Sequence, residues 1–278
     1  MAEGQTAAGW DAERSRIWLS NLADCEAPLV PVSAAIFEVA NLRAGEQVLD
    51  VGWGAGALTV EAARRVGPQG RVVGLDISPE MIEAARRRWT ESNLEWLVVD
   101  AGEADLSPEA FDAIISRFGV MFFAHPEAAF RRLRMACRTG GRLVTAAWAH
   151  RDEVPYFAVP YEILTSVLDR HHASYTPVSA VEGPYSLGNE EQTTRSLQAA
   201  GWDQIQFSLR RDRLYVGGPG TVQRAVEVLI KVSSVLAGQS EDIVATAREA
   251  LTKGLQQWHD GTGVALPSGF LVTTARRG

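Results

Sequence analysis

Cysteine is scarce: the 278 residues hold two, Cys25 and Cys137, far apart and outside any C-x-x-C spacing. They supply neither a disulfide framework nor a thiolate zinc site, and they suit a reducing compartment. Basic charge is short as well, with 27 Lys and Arg against 34 Asp and Glu and a net charge of −7. A surface built to grip nucleic-acid phosphates needs the opposite balance. No run of eighteen apolar residues escapes interruption by charge, which argues against an ordinary membrane-spanning helix. The opening MAEGQTAAGW has no basic n-region and no apolar h-region, so no secretory leader is expected and the cytoplasm is the expected location. Repeats and low-complexity tracts are missing. So are H-x-E, H-E-x-x-H and paired-carboxylate arrangements, and no metal is expected.

What is present is an alternation. Gln47 to Val51 (QVLDV) is a short apolar run of the kind that makes a buried parallel strand, and Gly52, Gly54 and Gly56 follow at once. Leu58, Ala62 and Val66 recur at helical spacing until Gly67-Pro68. Arg71 to Asp76 reads as a second strand, and Ser78-Pro79 opens a helix with apolar face Met81, Ile82, Ala85 and Trp89. Leu94 to Val99 and Phe111 to Ser116 are strands three and four. A helix from Pro126 is expected to run to the Gly140-Gly141 pair, with Arg142 to Trp148 as strand five. The rhythm predicts an α/β fold: a doubly wound, mostly parallel, seven-stranded Rossmann-like sheet with helical cover insertions.

The expected divisions are an N-terminal helical cover over 1–44, a cofactor-binding core over 45–150, an acceptor-side insertion over 151–187, and the rest of the core over 188–278. Trp10, Trp18, Ile36 and Phe37 are available in the first of these to cover a pocket. The 151–187 stretch, with four prolines and four tyrosines, shows no clear period. Glu190 to Ala200 predicts a helix, Gln204 to Leu209 strand six, residues 219–260 a helical insertion, and Phe270 to Thr274 a closing strand.

In an open α/β sheet the ligand crevice lies beyond the carboxyl ends of the strands. The turn Asp50-Val51-Gly52-Trp53-Gly54-Ala55-Gly56 sits at such an end, where glycines let a ligand approach the backbone. The same letters satisfy the nicotinamide pattern through Gly52, Gly54 and Ala57. Acidic residues decide between the two. Asp50, Asp76 and Asp100 occupy three successive strand ends, and a carboxylate at position 50 repels a pyrophosphate but welcomes an ammonium or sulfonium.

The segments VLDVGWGAGALTVEAA, VVGLDISPEMIEAARRR, VVDAGEADL, FDAIISRFGVMFFAHP and GGRLVTAAW resemble class I S-adenosylmethionine-dependent methyltransferases, of the small-molecule type related to the ubiquinone/menaquinone C-methyltransferases. The resemblance implies S-adenosyl-L-methionine as cofactor and a small, partly apolar acceptor methylated at oxygen or carbon. It implies that Asp50, Gly52, Gly54 and Gly56 bound the methionine and sulfonium part, and that Asp76 holds the ribose hydroxyls. Ile77 and Met81 would lie against the adenine, Asp100 and Ala101 at its edge, and Ser116 under the cofactor. Arg117, Phe118 and Phe122 would face the acceptor, while Tyr156, with Tyr161, Tyr175 and Tyr185, either lines an aromatic acceptor pocket or packs the insertion onto the sheet. The chain departs from the family at Trp53, where a small residue is usual; the indole either stacks near the sulfonium or turns into the core.

Candidate bases are His125, after the FGVMFF segment, and His172, in the acceptor-side insertion; both also read as ordinary solvated loop histidines. Arg117 either holds an acceptor carboxylate or phosphate, or pairs with an acid such as Asp112. A non-methylating enzyme on the same fold, such as a cyclase, and a non-catalytic partner protein are the alternatives. Strand four lacks the Asn/Asp-Pro-Pro-Tyr of nucleic-acid amino methyltransferases, so no nucleic-acid partner is expected; monomer and homodimer both stay open.

Overall fold

The computed structural model describes residues 12–179 and 183–278. Seven strands, β1 (Gln47–Val51), β2 (Arg71–Asp76), β3 (Leu94–Val98), β4 (Phe111–Arg117), β5 (Cys137–Trp148), β6 (Asp203–Tyr215) and β7 (Ala265–Arg276), form one sheet in the order β3-β2-β1-β4-β5-β7-β6. The first five run parallel; β7 lies antiparallel to both β5 and β6. Strand order reverses between β1 and β4, which opens a crevice beyond their carboxyl ends. Central β1 buries Val48, Leu49, Asp50 and Val51, as a strand covered on both faces must.

Ten helices among the described residues flank this sheet. The N-terminal α1 (Ala12–Ser20), α2 (Leu22–Glu26) and α3 (Val30–Ala40) precede β1. Crossovers α4 (Ala57–Val66), α5 (Pro79–Arg88), α6 (Pro126–Ala136) and α8 (Glu190–Ala199) link strands, and α7 (Pro155–Arg170), α9 (Val222–Val232) and α10 (Glu241–Leu255) form the cover. Local chemistry explains their ends. The Ser78 hydroxyl accepts from the Met81 N–H at 3.3 Å with Pro79 in the first turn, and Gly67 closes α4 at φ +67. The cover has its own core, in which Leu164, Val167 and Leu168 pack with Val222, Val226, Ala247, Leu251 and Leu255. No described helix is long and apolar enough to cross a membrane.

Several boundaries differ from the sequence reading. The Gly140-Gly141 pair lies inside β5, where the register with β4 shifts; helix α6 stops at Ala136. An extended Cys137 ends the helix, and the Gly140 N–H donates to the Arg277 carbonyl at 2.7 Å. The glycines make a bulge, not a helix stop. Residues 155–170 are helical despite Pro155 and Pro160. Pro155 sits in the first turn, and the buried set Pro160, Leu164, Val167, Leu168 follows helical spacing. Residues 219–260 hold two helices, with a break between them that includes Gly238 at φ +73. The terminal β6–β7 ribbon is longer than its apolar letters suggest, its pairing running from Asp203 with Arg276 to Tyr215 with Ala265, and Arg210 and Arg211 on β6 pair with Glu38 and Glu153. Trp89 leaves α5 in an extended conformation, so it is not part of that helix's face. Ile36 and Phe37 join the sheet core, Trp18 reaches the crevice, and Trp10 lies outside the described residues.

Candidate functional site

The crevice at the β1/β4 reversal is a cavity of about 870 Å³. Its floor is the strand tips. Its walls come from α1 and α2, from α7, and from α9 with the turn that follows it. Asp50, Gly52, Gly54, Asp76, Ile77, Asp100 and Ala101 all line it, as do Arg117, Phe118, Phe122 and Tyr156.

The floor is organised by close backbone packing. Gly52 has φ +70, and a Cβ there would sit 2.5 Å from the Cα of Gly119 in the loop after β4. Gly54 has φ +58, with open space where its Cβ would point. Gly52→Ala is therefore expected to destabilise the fold by about 3 kcal/mol or more, and Gly54→Ala by about 1 kcal/mol, the difference being the overlap added to left-handed strain. Urea unfolding of the two variants checks the ordering; equal midpoints would show that the two backbones are not in contact.

Asp50 is fully buried. Its Oδ2 accepts from the Thr59 hydroxyl at 2.7 Å, and its Oδ1 has no partner among the described residues. Burial pushes this carboxyl up to about 7, against the opposing pull of Thr59 and the Arg117 guanidinium. Asp76, 8 % exposed, accepts from the Ser78 N–H through Oδ1 and from the Gly54 N–H through Oδ2, both at 2.9 Å. Burial raises its pKa, and the backbone donors of Ser78, Gly54 and Ile77 oppose the shift. The Asp100 Oδ1 accepts from the Gly102 N–H at 2.7 Å and starts a turn.

Three expected contacts fall elsewhere. Met81 is completely buried among Trp53, Val60, Ile82, Ala85 and Trp96, away from the cavity. Gly56 opens α4, and its Cβ would meet Trp96 and Trp89, not a ligand. The Ser116 hydroxyl donates to the Val51 carbonyl at 2.7 Å and accepts from the Gly119 and Val120 N–H groups. Its hydrogen-bonding capacity is spent on tying β1 to the loop after β4. The candidate bases also miss the cavity. His125 is exposed before α6, and His172 is exposed past the end of α7 at φ +51. Pro126 and the end of α7 direct both outward.

Trp53 turns into the core. Its indole is 2 % exposed, lies where a Gly74 side chain would be, and packs on Trp96 at 4.5 Å between centroids, tilted by 42°. The Trp89 indole N–H donates to the Ala55 carbonyl at 2.9 Å. Three tryptophans thus brace the glycine turn from below. Of the two placements the sequence left open for Trp53 the structure has the core one, and the missing side chain at Gly74 was a signal for it: a glycine mid-strand often marks close approach of another group.

Arg117 is paired, but not with Asp112. Its Nη2 meets Glu26 at 2.6 Å and its Nη1 donates to the Ser33 hydroxyl at 2.8 Å, joining β4 to α2 and α3. Asp112 instead pairs with Arg138 at 2.5 Å. The Arg117 and Glu26 side chains are 8 % and 18 % exposed, so the pair sits in a low dielectric. Arg117→Ala leaves Glu26 without a partner and is expected to cost about 3–5 kcal/mol in urea unfolding, with most of it recovered by adding Glu26→Leu. No recovery would show that Arg117 acts through packing alone.

The comparisons with known proteins agree with this geometry. Residues 48–141 match the family model described as a methyltransferase domain. The chain is 29 % identical over 188 residues to the aklanonic acid methyltransferase DauC of Streptomyces sp. (strain C5), covering 65 % of this chain and 86 % of that protein. It is 33 % identical over 111 residues to the ubiquinone/menaquinone biosynthesis C-methyltransferase UbiE of Pseudomonas putida, covering 38 % of this chain and 43 % of UbiE. Among solved structures, the [4+2]-cyclase SpnF superposes with TM-score 0.54 at 20 % identity, over 89 % of this chain and 80 % of that one. A phosphoethanolamine N-methyltransferase from Haemonchus contortus in complex with S-adenosyl-L-methionine gives TM-score 0.57 at 18 % identity, over 97 % of this chain and 60 % of that one.

Proposed function

We propose that the chain is a class I S-adenosylmethionine-dependent methyltransferase, as the methyltransferase-domain match over residues 48–141 and the identities to DauC and UbiE support, and that it transfers the methyl group of S-adenosylmethionine to a small, partly apolar acceptor, at oxygen or at carbon. The observation that carries this reading is Asp50: a buried carboxylate beside the glycine turn with one oxygen unmatched. An unpaired buried charge is costly, and a cationic ligand relieves it where a pyrophosphate would add to it.

Asp50 would face the charged methionine end of the cofactor, and Gly52 and Gly54 would admit it close to the backbone. Asp76 would take the ribose hydroxyls, with Ile77 beside them and Asp100 and Ala101 at the adenine. Ser116 and the tryptophan brace act one step back, holding the turn in shape. When bound, the cofactor supplies a methyl already activated on a sulfonium. The chain's own task is then alignment: Phe118, Phe122 and Tyr156 would orient the acceptor at near-attack distance, and the cover excludes water. The cavity lining contains no histidine among the described residues, which suits chemistry carried mainly by positioning.

Calorimetric titration with S-adenosylmethionine and S-adenosylhomocysteine tests the reading, with micromolar or tighter binding of both expected. Absence of heat with either ligand would overturn it. Transfer of a labelled methyl group to an acceptor panel comes next. Tight cofactor binding with the label kept on the cofactor throughout would favour a non-methylating enzyme, such as a cyclase.

A further inference from the structure

We infer that Thr59 is a positioning residue of this site: its hydroxyl grips one oxygen of Asp50 and so presents the other to the cationic methionine end of the cofactor. The inference rests on the methyltransferase reading above. Thr59 lies in the first turn of α4, is completely buried and does not itself line the cavity. Whatever it does for a ligand it does through Asp50.

Its hydroxyl makes an unusual choice for a helical threonine. Thr165, Thr194, Thr246 and Thr252 each donate to the carbonyl four residues back in their own helix. That is the ordinary way for a helix to satisfy this side chain. Thr59 instead donates across to β1, to Asp50 Oδ2 at 2.7 Å. The carbonyl four residues behind it, that of Ala55, accepts the Trp89 indole N–H at 2.9 Å. The tryptophan brace occupies the local acceptor, and the threonine hydroxyl turns to the carboxylate.

That contact carries a charge preference. A hydroxyl donating to a carboxylate favours its ionised form, which burial otherwise opposes. Four groups bear on Asp50 from neighbouring elements. Thr59 on α4 and Arg117 on β4 favour its charge, while Asp76 on β2 and Glu26 on α2 oppose it. Arg117 is divided between Glu26 and Ser33, and among the described residues only Thr59 hydrogen-bonds the Asp50 side chain. Oδ1 is the oxygen left unmatched for a ligand's N–H donor.

Calorimetry with S-adenosylhomocysteine on the full chain, from pH 6 to pH 8.5, tests this with Thr59→Val, Thr59→Cys and Thr59→Ser. Valine keeps the branched shape and has no donor. Its affinity is expected to fall about tenfold below wild type at pH 6 and to come within about threefold at pH 8.5, where the carboxyl ionises without help. Serine restores the hydroxyl and is expected to match wild type within about twofold throughout. Cysteine, a weaker donor, is expected to fall between them. If the valine variant does not fold, the serine and cysteine variants carry the comparison. No deficit, a deficit of one size at every pH, or serine no better than valine or cysteine would show that Thr59 serves packing alone. Any of these would overturn the inference while wild-type cofactor binding still upheld the methyltransferase reading. Failure of wild-type protein to bind S-adenosylhomocysteine would remove both.

Discussion

Asp76→Ala is expected to lower affinity for S-adenosylhomocysteine by about a hundredfold or more, read by calorimetry. Each Asp76 oxygen already accepts one backbone N–H, from Ser78 and from Gly54, and a carboxylate oxygen can accept a further donor; the residue lines the cavity. Two ribose hydroxyls bound to a shielded carboxylate contribute about 1.5–3 kcal/mol each, and losing both accounts for the factor. Alanine also releases the Gly54 N–H, so the glycine turn loses its tie to β2. Asp76→Asn is expected to be only slightly better, because its amide NH₂ must face either the Ser78 or the Gly54 N–H, donor against donor. An affinity within fivefold of wild type for Asp76→Ala would remove Asp76 from the cofactor site.

Asp50→Asn is expected to make the protein more stable at pH 8 and a poorer binder. The folded-state carboxyl titrates at about 7 against an ordinary 3.8. Between those values the folded chain keeps a proton that the unfolded chain has released. The associated stability is therefore present below about pH 4 and is lost as pH rises through 7, with a total on the order of 4 kcal/mol. Asparagine removes the titration while its amide oxygen still accepts from Thr59, so the variant's stability is expected to stay level over that window. Binding runs the other way. The ionised carboxylate is the form that attracts a cation, so wild-type affinity should rise from pH 6 to pH 8. The variant should bind roughly tenfold to a hundredfold more weakly at pH 8, with little pH dependence. A lower melting temperature for Asp50→Asn at pH 8, or a wild-type affinity flat across the same range, would contradict the buried, half-matched carboxylate.

The strand-tip end of the cavity, where we propose the cofactor binds, was more legible in the chain than the end lined by the cover. Asp50, Asp76 and Asp100 are tied to strand ends, and strand ends are announced by short apolar runs and the glycines after β1. Ser116, Met81 and Gly56 stand in the same motifs but turn away from the cavity; a position in a motif does not say which side of the backbone a group serves. His125 and His172 suggested chemistry by residue type alone, and their exposure removes them from the cavity wall. Helix α7 went unseen because its prolines obscured a helical repeat that its buried residues obey.

What the linear order determined by itself is the doubly wound sheet and the crevice at its β1/β4 reversal. Alternating hydrophobic periods are local, and right-handed crossovers leave a parallel sheet few ways to close. What only the tertiary structure decided is which groups meet across distance: Arg117 with Glu26, Trp53 over Gly74, and Phe118 with Trp148 and Tyr156. Those partners lie tens of residues apart, and no local spacing encodes them. They follow from how side chains divide a shared volume once the strands are in register.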